Sequence, residues 1–409
     1  MPKIRLIDVT NRDGVQTSRI GLSKLQKTML NIMLNEMGVY QSELGFPFTP
    51  HESNYINANL ELQEKGLLKP IVLEGWCRGI VKDVEDAFRL TNIRDFNLSI
   101  STSDQMIANK FKGKLDRDSI ISEMTEAVKA AREGGARTVG VNSEDASRTD
   151  MGYLIRFAKA VKDSGADRLR YCDTLGYDDP KTIYDRINHV AKEVGIPIEL
   201  HCHNDLGMVV ANSVMGAKGA IDAGVDAYIN TTVNGVGERA GNADIVSVIL
   251  ALRYSSGLKD LGLLDERTDL SKAWKICKYA SYAFGLPIPI TQPGIGNNAF
   301  AHESGIHADG ALKDRKNYEL YDYEELGRGE PEMCETGRII TTGEYGGIRG
   351  FLKVYEDLGV QFETSEQTSR GLELCQYANL HTGKPLHDEE LRFIAAYPEQ
   401  AAKIMTVTP

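Results

Sequence analysis

Residues 195–205 read Gly-Ile-Pro-Ile-Glu-Leu-His-Cys-His-Asn-Asp. This pattern predicts a short apolar strand that ends in a polar turn. Alternate residues of a strand face the same side, so Glu199, His201 and His203 form one row. Two imidazoles in such a row can make half of a divalent-metal site, and the alternative is a pair of hydrogen-bonded core histidines. The chain has only eight histidines and polar residues crowd this pair, which favours the metal.

This strand belongs to a series of eight between residues 3 and 257, each followed by a helical pattern. The first predicted helix covers residues 23–37, with Ser23 as its N-cap, and several helices end at glycine. Eight units in this length predict an α/β fold, the (β/α)8 TIM barrel. A doubly wound sheet is the alternative, but no glycine-rich dinucleotide motif follows the first strand. The predicted strands are residues 3–10, 40–47, 70–78, 95–101, 138–144, 168–176, 197–204 and 226–235.

A TIM barrel places its catalytic residues where the strands end. Polar residues occur at nearly all of these predicted ends. One such end can be polar by chance, because the rim of a barrel is solvated, but chance does not explain so many. The residues are Arg12 and Asp13, Glu43, Ser99 and Ser101, Asn142 and Glu144, Asp173 and Thr174, His201 and His203, and the segment 237–242.

The strand–helix pattern stops after residue 257. We therefore expect a catalytic barrel at residues 1–260, a linker or lid region at 261–335 and a small, mainly helical C-terminal subdomain at 336–409. A helix is predicted at 272–284, and 287–296 is too rich in proline and glycine for regular structure. Further helices are predicted at 348–358, 366–379 and 388–396. The linker also carries His302, which we interpret as structural, His307 and Tyr318.

The composition of the 409-residue chain is that of a globular protein, with a net charge of −11. An acidic surface disfavours nucleic acid and anionic membranes as partners. No signal peptide is recognisable, and no apolar run approaches the roughly 20 residues of a membrane span. The six cysteines have no paired spacing, which is typical of reduced thiols. We therefore expect a cytoplasmic location.

Several motifs resemble those of a known family. Residues 8–16, Asp-Val-Thr-Asn-Arg-Asp-Gly-Val-Gln, are similar to the strand-one signature of the metal-dependent, Claisen-condensing barrel enzymes. These include the isopropylmalate, homocitrate and citramalate synthases. Residues 43–47, 201–207, 237–242 and 305–307 resemble the family's other signatures in the same order, so the resemblance covers nearly the whole chain. Residues 11–17 and 139–148 are most similar to the (R)-citrate synthase branch.

The resemblance implies a metal site. Asp13, His201 and His203 match the family's ligands, with Asn242 as a possible fourth. An oxygen–nitrogen set with open positions suits Mn²⁺, Mg²⁺, Co²⁺ or Zn²⁺, of which we favour Mn²⁺. The cation would chelate a 2-oxo acid as a Lewis acid. Glu199 would orient one of the histidines.

The resemblance also assigns the remaining site residues. Glu144, His307 and Tyr318 match the proton-transfer residues, and Arg12 would stabilise the developing alkoxide or pair with Glu43. His307 and Tyr318 would come from the neighbouring subunit of a homodimer with shared active sites. The residues expected to bind substrate are Arg12, Gln16, Glu43, Asn142 and Thr174.

The implied activity is an acyl transfer that condenses acetyl-CoA with oxaloacetate and releases citrate and CoA. Homocitrate synthase, with 2-oxoglutarate, is the alternative, and a carbon–carbon lyase or a non-catalytic sensor are weaker ones. Homocitrate synthases usually have an arginine at the place of Gly140, which binds the distal carboxylate of 2-oxoglutarate. Here Gly140 offers no cation, and Trp76 replaces a histidine, so the pocket should suit the shorter oxaloacetate.

Overall fold

The computed structural model describes residues 2–329, 341–344 and 346–406. Eight parallel strands close into a barrel in which each strand pairs with the next and the last pairs with the first. The predicted (β/α)8 fold is therefore confirmed. The strands are β1 (Ile4–Asp8), β2 (Gln41–Gly45), β3 (Val72–Arg78), β4 (Asp95–Ser101), β5 (Thr138–Glu144), β6 (Arg168–Asp173), β7 (Ile198–Cys202) and β8 (Ala227–Thr231).

Nine α-helices lie between or directly after these strands, and the described chain begins most of them with a side-chain cap. Ser23 is the N-cap of the first helix, as predicted, and it forms a capping box with Gln26. Asp179 caps another helix whose first residue is Pro180, a position where the missing N–H costs nothing. The helices are α1 (Lys24–Glu36), α2 (Pro50–Glu64), α3 (Val81–Leu90), α4 (Asp104–Lys110), α5 (Arg117–Glu133), α6 (Met151–Asp163), α7 (Pro180–Val194), α8 (Val209–Asp222) and α9 (Ile245–Tyr254).

Some strands end earlier than predicted because acidic side chains turn the backbone. The carboxylate of Asp8 accepts hydrogen bonds from the Thr10 amide at 2.9 Å and its hydroxyl at 3.0 Å, which ends β1 at Asp8. The carboxylate of Asp173 likewise accepts from the Tyr177 amide at 2.7 Å and ends β6. These turns point the chain across the mouth of the barrel.

The C-terminal part of the described chain is helical. Four helices match the predictions at 272–284, 348–358, 366–379 and 388–396. Two further helices, α11 and α15, were not predicted, and neither was the short α4. The proposed boundary at 335/336 lies outside the described residues, and the three domain limits stay predictions. The helices are α10 (Ala273–Phe284), α11 (Gly305–Lys313), α12 (Ile348–Asp357), α13 (Ser365–Thr382), α14 (Asp388–Ala396) and α15 (Pro398–Met405).

The C-terminal helices are attached to the barrel by polar contacts as well as apolar ones. Within this region the Tyr279 hydroxyl on α10 donates to Glu390 on α14 at 2.7 Å, which joins two C-terminal helices to each other. Lys403 on α15 donates to Glu61 on α2 at 2.5 Å. α15 packs against α1 and α2, the first two helices of the barrel. The helical region therefore covers the side of the barrel that begins with β1 and β2.

The inside of the barrel contains a layer of buried charges, which we call the charged floor: Glu43, Glu74, Arg168, Arg170 and Glu199. Arg168 and Arg170 both pair with Glu199 at 2.6 Å, and Arg170 pairs with Glu43 at 3.0 Å. Arg168 also pairs with Glu74. Buried charges are tolerated only when they are paired, and every member of this layer has at least one partner.

Two global features bear on the expected surroundings of the protein. No helix of the described residues combines the length and apolar character that crossing a membrane requires. The cysteines that the structure describes, at positions 77, 172, 202, 277 and 375, are buried free thiols. Cys334 lies outside the described residues.

Candidate active site

Three predicted metal ligands lie together at the mouth of the barrel. Asp13 follows β1, His201 is on β7, and His203 follows β7. One ligand atom from each side chain lies within 4.8 Å of the other two, and all three residues are buried. The two imidazole rings are edge to face with centroids 5.0 Å apart. His201 and His203 therefore lie beside Asp13, because closure of the barrel brings the ends of β1 and β7 to the same mouth.

The electrostatics of this cluster suit a cation. Burial acts to raise the pKa of Asp13, but the electrostatic interaction with its neighbours, Arg12 first among them, outweighs burial and lowers the pKa to about 2. Burial lowers the pKa of both His201 and His203, so each ring is held neutral. A metal needs an ionised carboxylate and neutral imidazoles as ligands. These protonation states therefore fit a divalent cation.

Several buried polar atoms around the cluster have no hydrogen-bond partner among the described residues. They are Oδ2 of Asp13, Nδ1 of His203 and Oδ1 of Asn242. The Asn242 amide nitrogen donates to the Cys202 carbonyl at 3.2 Å, which leaves its oxygen free. Gly237 lies against this oxygen, since a Cβ there would be 1.9 Å from it. Unpartnered buried atoms are costly, and a cation at this point would satisfy the oxygens of Asp13 and Asn242.

His201 is oriented by Asn230 rather than directly by Glu199. Its Nδ1 lies 3.0 Å from Oδ1 of Asn230, and Nδ2 of Asn230 donates to Glu199 at 2.7 Å. The sequence-based interpretation that Glu199 orients a histidine is corrected accordingly: Glu199 acts through Asn230. Because Nδ1 is engaged, Nε2 is the atom of His201 that can bind a metal.

The cluster opens into a cavity of about 540 Å³ at the carboxyl ends of the strands. Eight of the residues predicted for the site line it: Arg12, Asp13, Gln16, Asn142, Glu144, Thr174, His201 and His203. Among the remaining lining residues are Trp76, Arg78, Ser101, Lys110, Cys172 and Arg239. A larger groove between α13 and the start of α15 is far from this chemistry and contains none of the predicted site residues.

Arg12 connects the cavity with the charged floor. Its guanidinium pairs with Asp13 and with Glu43, both at 2.6 Å. Its Nη2 atom has no partner among the described residues. Glu43, which was expected to bind substrate, is fully buried and does not line the cavity. In the described part of the chain it reaches the site through its ion pair with Arg12. Both interpretations of Arg12 are therefore compatible, since it pairs with Glu43 and keeps a free donor.

Glu144 ends β5 and lines the cavity beside two hydrogen-bond donors. Nζ of Lys110 lies 2.7 Å from its Oε2, and the Ser101 hydroxyl donates to the same oxygen. Thr174 accepts from the Asp145 amide at 2.9 Å, which leaves its hydroxyl proton available to a ligand. Lys110 was not predicted, because it lies on a seven-residue helix with no distinctive motif.

His307 and Tyr318 stack on each other, with ring centroids 4.2 Å apart. Both are exposed, and neither lines the cavity of its own chain. His302 lies nearby and pairs with Glu319 at 3.1 Å, in line with its structural interpretation. The single chain therefore does not bring these two residues to the metal cluster, and their catalytic role stays a prediction.

Gly140 lies one layer deeper in the barrel than was expected. It does not line the cavity, and a Cβ there would lie 2.7 Å from the Asn97 amide nitrogen and 3.2 Å from the Arg168 guanidinium. Arg168 thus fills the space into which a side chain at position 140 would point. Trp76 lines the cavity, and its ring is edge to face with Phe46 at 5.5 Å.

Two known family models match separate parts of the chain. Residues 3–279 match the HMGL-like family model. Residues 295–377 match the homocitrate synthase post-HMGL domain-like model. The first match contains the barrel and all of the metal cluster. The second contains His302, His307 and Tyr318.

Similar proteins extend this result. A protein of Dehalococcoides mccartyi named citrate (Re)-synthase is 58% identical, covering 100% of this chain and 99% of its own. The 2-isopropylmalate synthase 2 of Caldanaerobacter subterraneus is 38% identical over 96% of this chain and 94% of its own. The HMG-CoA lyase of Bacillus subtilis has the same fold, with a TM-score of 0.56 at 18% identity over 71% of this chain and 97% of that one. The chain belongs to the HMGL-like family.

Proposed function

We propose that this protein is a citrate synthase of the (R) type, which condenses acetyl-CoA with oxaloacetate and releases citrate and CoA. The observation that carries the proposal is the 58% identity, over the full length, to the D. mccartyi protein named citrate (Re)-synthase. The ligand cluster at the mouth of the barrel supports the metal-dependent chemistry that this family uses.

Asp13, His201 and His203 would hold the divalent cation, with Asn242 as a fourth ligand. A bound cation would supply Lewis acidity toward the carbonyl oxygen of oxaloacetate. The mixed oxygen and nitrogen ligands favour Mn²⁺ over softer metals, with Mg²⁺, Co²⁺ and Zn²⁺ as the other candidates. The unpartnered Oδ1 of Asn242 supports its inclusion in the set.

The chain's own residues would perform the condensation as follows. Glu144 removes a proton from the methyl group of acetyl-CoA, and the electron pair of that C–H bond forms the new bond to the carbonyl carbon of oxaloacetate. The carbonyl oxygen becomes an alkoxide, and the free Nη2 of Arg12 stabilises it. The alkoxide takes the proton held by Glu144 and becomes the hydroxyl group of citrate, which returns Glu144 to its carboxylate form. Water then adds to the thioester carbon and the C–S bond breaks. One proton of the water passes to the sulfur, so that CoA leaves as the thiol, and the other is released as the new carboxyl group ionises. Gln16, Asn142 and Thr174 would bind the substrate.

His307 and Tyr318 would complete the site from a second copy of the chain. Both are exposed, and their helix region presents the apolar side chains Ile306 and Leu312, which are 76% and 88% exposed. Their exposure beside His307 supports an interface at this place but does not by itself define one. We therefore propose a homodimer in which His307 of the partner subunit joins Glu144 in proton transfer. A cytoplasmic location agrees with the free thiols.

The choice of oxaloacetate rests on the absence of a cation at position 140, where one would bind the distal carboxylate of a longer diacid. The arginine that homocitrate synthases usually have at the place of Gly140 is missing. Arg168 fills that space, but it is paired with Glu74 and Glu199 in the charged floor. A charge-assisted hydrogen bond is worth about 1.5–3 kcal/mol, or about ten- to a hundredfold in selectivity. Trp76 lines the same cavity, where its ring would leave less room for a longer diacid.

The test is a steady-state assay with Mn²⁺, acetyl-CoA and a panel of 2-oxo acids. We expect kcat/KM for oxaloacetate to exceed that for 2-oxoglutarate by at least about tenfold. The second candidate is homocitrate synthase, which the match of residues 295–377 to a homocitrate synthase domain model favours. Equal or better use of 2-oxoglutarate would replace the first proposal with this one.

A further inference from the structure

Two donors converge on one oxygen of Glu144. Nζ of Lys110 is 2.7 Å from Oε2, and the hydroxyl of Ser101 donates to the same atom. In the part of the chain that the structure describes, Oε1 receives no hydrogen bond. The two carboxylate oxygens are therefore distinct: one is held by two donors, and the other is open to a ligand in the cavity that Glu144 lines.

The segment that carries Lys110 is fixed to the strand that carries Glu144. The Thr102 amide donates to the Glu144 carbonyl at 2.9 Å. Ser103, the N-cap of α4, donates to the carboxylate of Asp145, the next residue after Glu144. Two consecutive residues after β4 thus hydrogen-bond to two consecutive residues at the end of β5. This linkage places the start of α4 in register with Glu144.

The other side of α4 is also anchored. Asp104, its first residue, pairs with Arg117 at the start of α5 through two bonds of 2.7 and 2.8 Å. Lys110 is the last residue of α4, and it and the following Phe111 both line the cavity. A helix held at its first turn from two sides can present its last residue to the cavity in a defined place.

The ion pair itself contributes little to folding. The side chain of Lys110 is 50% exposed and that of Glu144 is 29% exposed. Water screens the charges of pairs this accessible, so their effect on stability is small. The value of the contact therefore lies in orientation: a general base must hold one oxygen within hydrogen-bond reach of the proton that it removes.

We propose that Lys110 and Ser101 are positioning residues for the proton transfer by Glu144. They hold Oε2, so that Oε1 is the oxygen that takes the methyl proton of acetyl-CoA, while the C–H electron pair goes to the new carbon–carbon bond. The inference rests on the proposed function, which it deepens by naming two residues that act through Glu144. Neither residue is required to touch the substrate.

The test compares Lys110→Met, Lys110→Arg and Ser101→Ala with the wild type, in steady-state assays with Mn²⁺, acetyl-CoA and oxaloacetate. For Lys110→Met we expect kcat to fall by about ten- to a hundredfold, because misplacement of a catalytic group costs about this much. KM for acetyl-CoA should stay within about threefold. Lys110→Arg should recover most of kcat, and Ser101→Ala should give a smaller loss of the same kind.

Lys218→Met is the matched control, because Lys218 pairs with Asp222 on α8, away from the cavity. It should leave kcat unchanged. Thermal melting of every variant checks that the barrel stays folded. A rise in KM for acetyl-CoA at unchanged kcat would overturn the inference and make Lys110 an anchor for the CoA phosphates. Unchanged kinetics would also overturn it. If the wild type is inactive with every 2-oxo acid, the proposed function is refuted, and the positioning role of Lys110 and Ser101 is refuted with it.

Discussion

The imidazole of His201 and the amide of Asn230 meet at 3.0 Å between Nδ1 and Oδ1. Asn230 on β8 in turn donates to Glu199 on β7, two residues before His201. The amide thus ties the ligand histidine to the charged floor. Its contact fixes both the tautomer and the plane of the ring.

We expect Asn230→Ala to weaken metal binding by about ten- to a hundredfold, because the histidine loses the acceptor that orients it. Titration of the apoprotein with Mn²⁺, followed by calorimetry, measures the change without relying on activity. Asn212→Ala is the control, since Asn212 is equally buried but hydrogen-bonds to Asp178. Equal Mn²⁺ affinity in Asn230→Ala and the wild type would contradict the orienting role.

The metal site predicts a dependence on divalent cations. Chelation should abolish turnover, and addition of Mn²⁺ should restore it. His203→Ala should bind Mn²⁺ weakly while the barrel remains folded, because the side chain lies at the mouth and not among the apolar residues outside the strands. Calorimetry and circular dichroism report the two properties separately. Full activity of a metal-free preparation would refute the site.

The proposed sharing of the active site between two subunits predicts complementation between two inactive variants. His307→Ala and Asp13→Ala should each be inactive as homodimers. Heterodimers contain one site with both residues intact, so a mixture after subunit exchange should recover activity, up to about a quarter of the wild-type value per chain at random pairing. Mass spectrometry of differently tagged chains verifies the exchange. Proven exchange without recovery would show that His307 does not act across subunits.

A buried ion pair between the first two helices predicts a large stability effect. Lys27 on α1 donates to Glu52 on α2 at 2.8 Å, and the side chains are only 5% and 9% exposed. Lys27→Met should cost about 3–5 kcal/mol of unfolding free energy, because it leaves a buried charge unpaired. The double variant Lys27→Met/Glu52→Gln should recover most of this loss. Urea denaturation of the wild type, Lys27→Met, Glu52→Gln and the double variant gives the coupling energy between the two side chains. Additive losses of stability would show that the two side chains are not coupled.

The same pair predicts a pH dependence. Burial acts to raise the pKa of Glu52, but the charge and hydrogen bond of Lys27 and the Phe46 amide outweigh it and lower the pKa. A carboxyl whose pKa is lower in the folded state stabilises the protein above its unfolded pKa, and this contribution disappears as the pH falls through the folded pKa. The stability difference between wild type and Glu52→Gln should therefore shrink below about pH 4. Curves of unfolding free energy against pH that run parallel for the two proteins would exclude a contribution from the titration of Glu52.

The fold was predictable because each strand and helix carries its own periodic pattern, and because the eight units add up to a closed barrel. The ligand cluster followed from that closure, since the ends of parallel strands meet at one face. Asn230 could not be predicted as the partner of His201. Their contact depends on the register of β7 with β8, in which Leu200 lies opposite Ile229, and no local pattern encodes that register.

The depth at which Gly140 lies in the barrel could not be predicted from the sequence either. Residues two apart on a strand face the same side, so Gly140 and Asn142 both point inward. Only the packing of Arg168 from the neighbouring strand reveals that one belongs to the floor and the other to the cavity. Lys110 was missed for a related reason, since its approach to Glu144 depends on where a short helix is anchored.

The crowding at Gly140 restricts how substrate choice can change by successive mutations. A side chain at this position meets Asn97 at 2.7 Å and the Arg168 guanidinium at 3.2 Å from its Cβ onward. Arg168 cannot simply move away, because Glu74 and Glu199 would lose a buried counter-charge. A cation at position 140 therefore becomes acceptable only after Arg168 has been replaced. The order of the substitutions therefore matters. Arg168 in the charged floor must change before position 140 can acquire a cation for longer diacids.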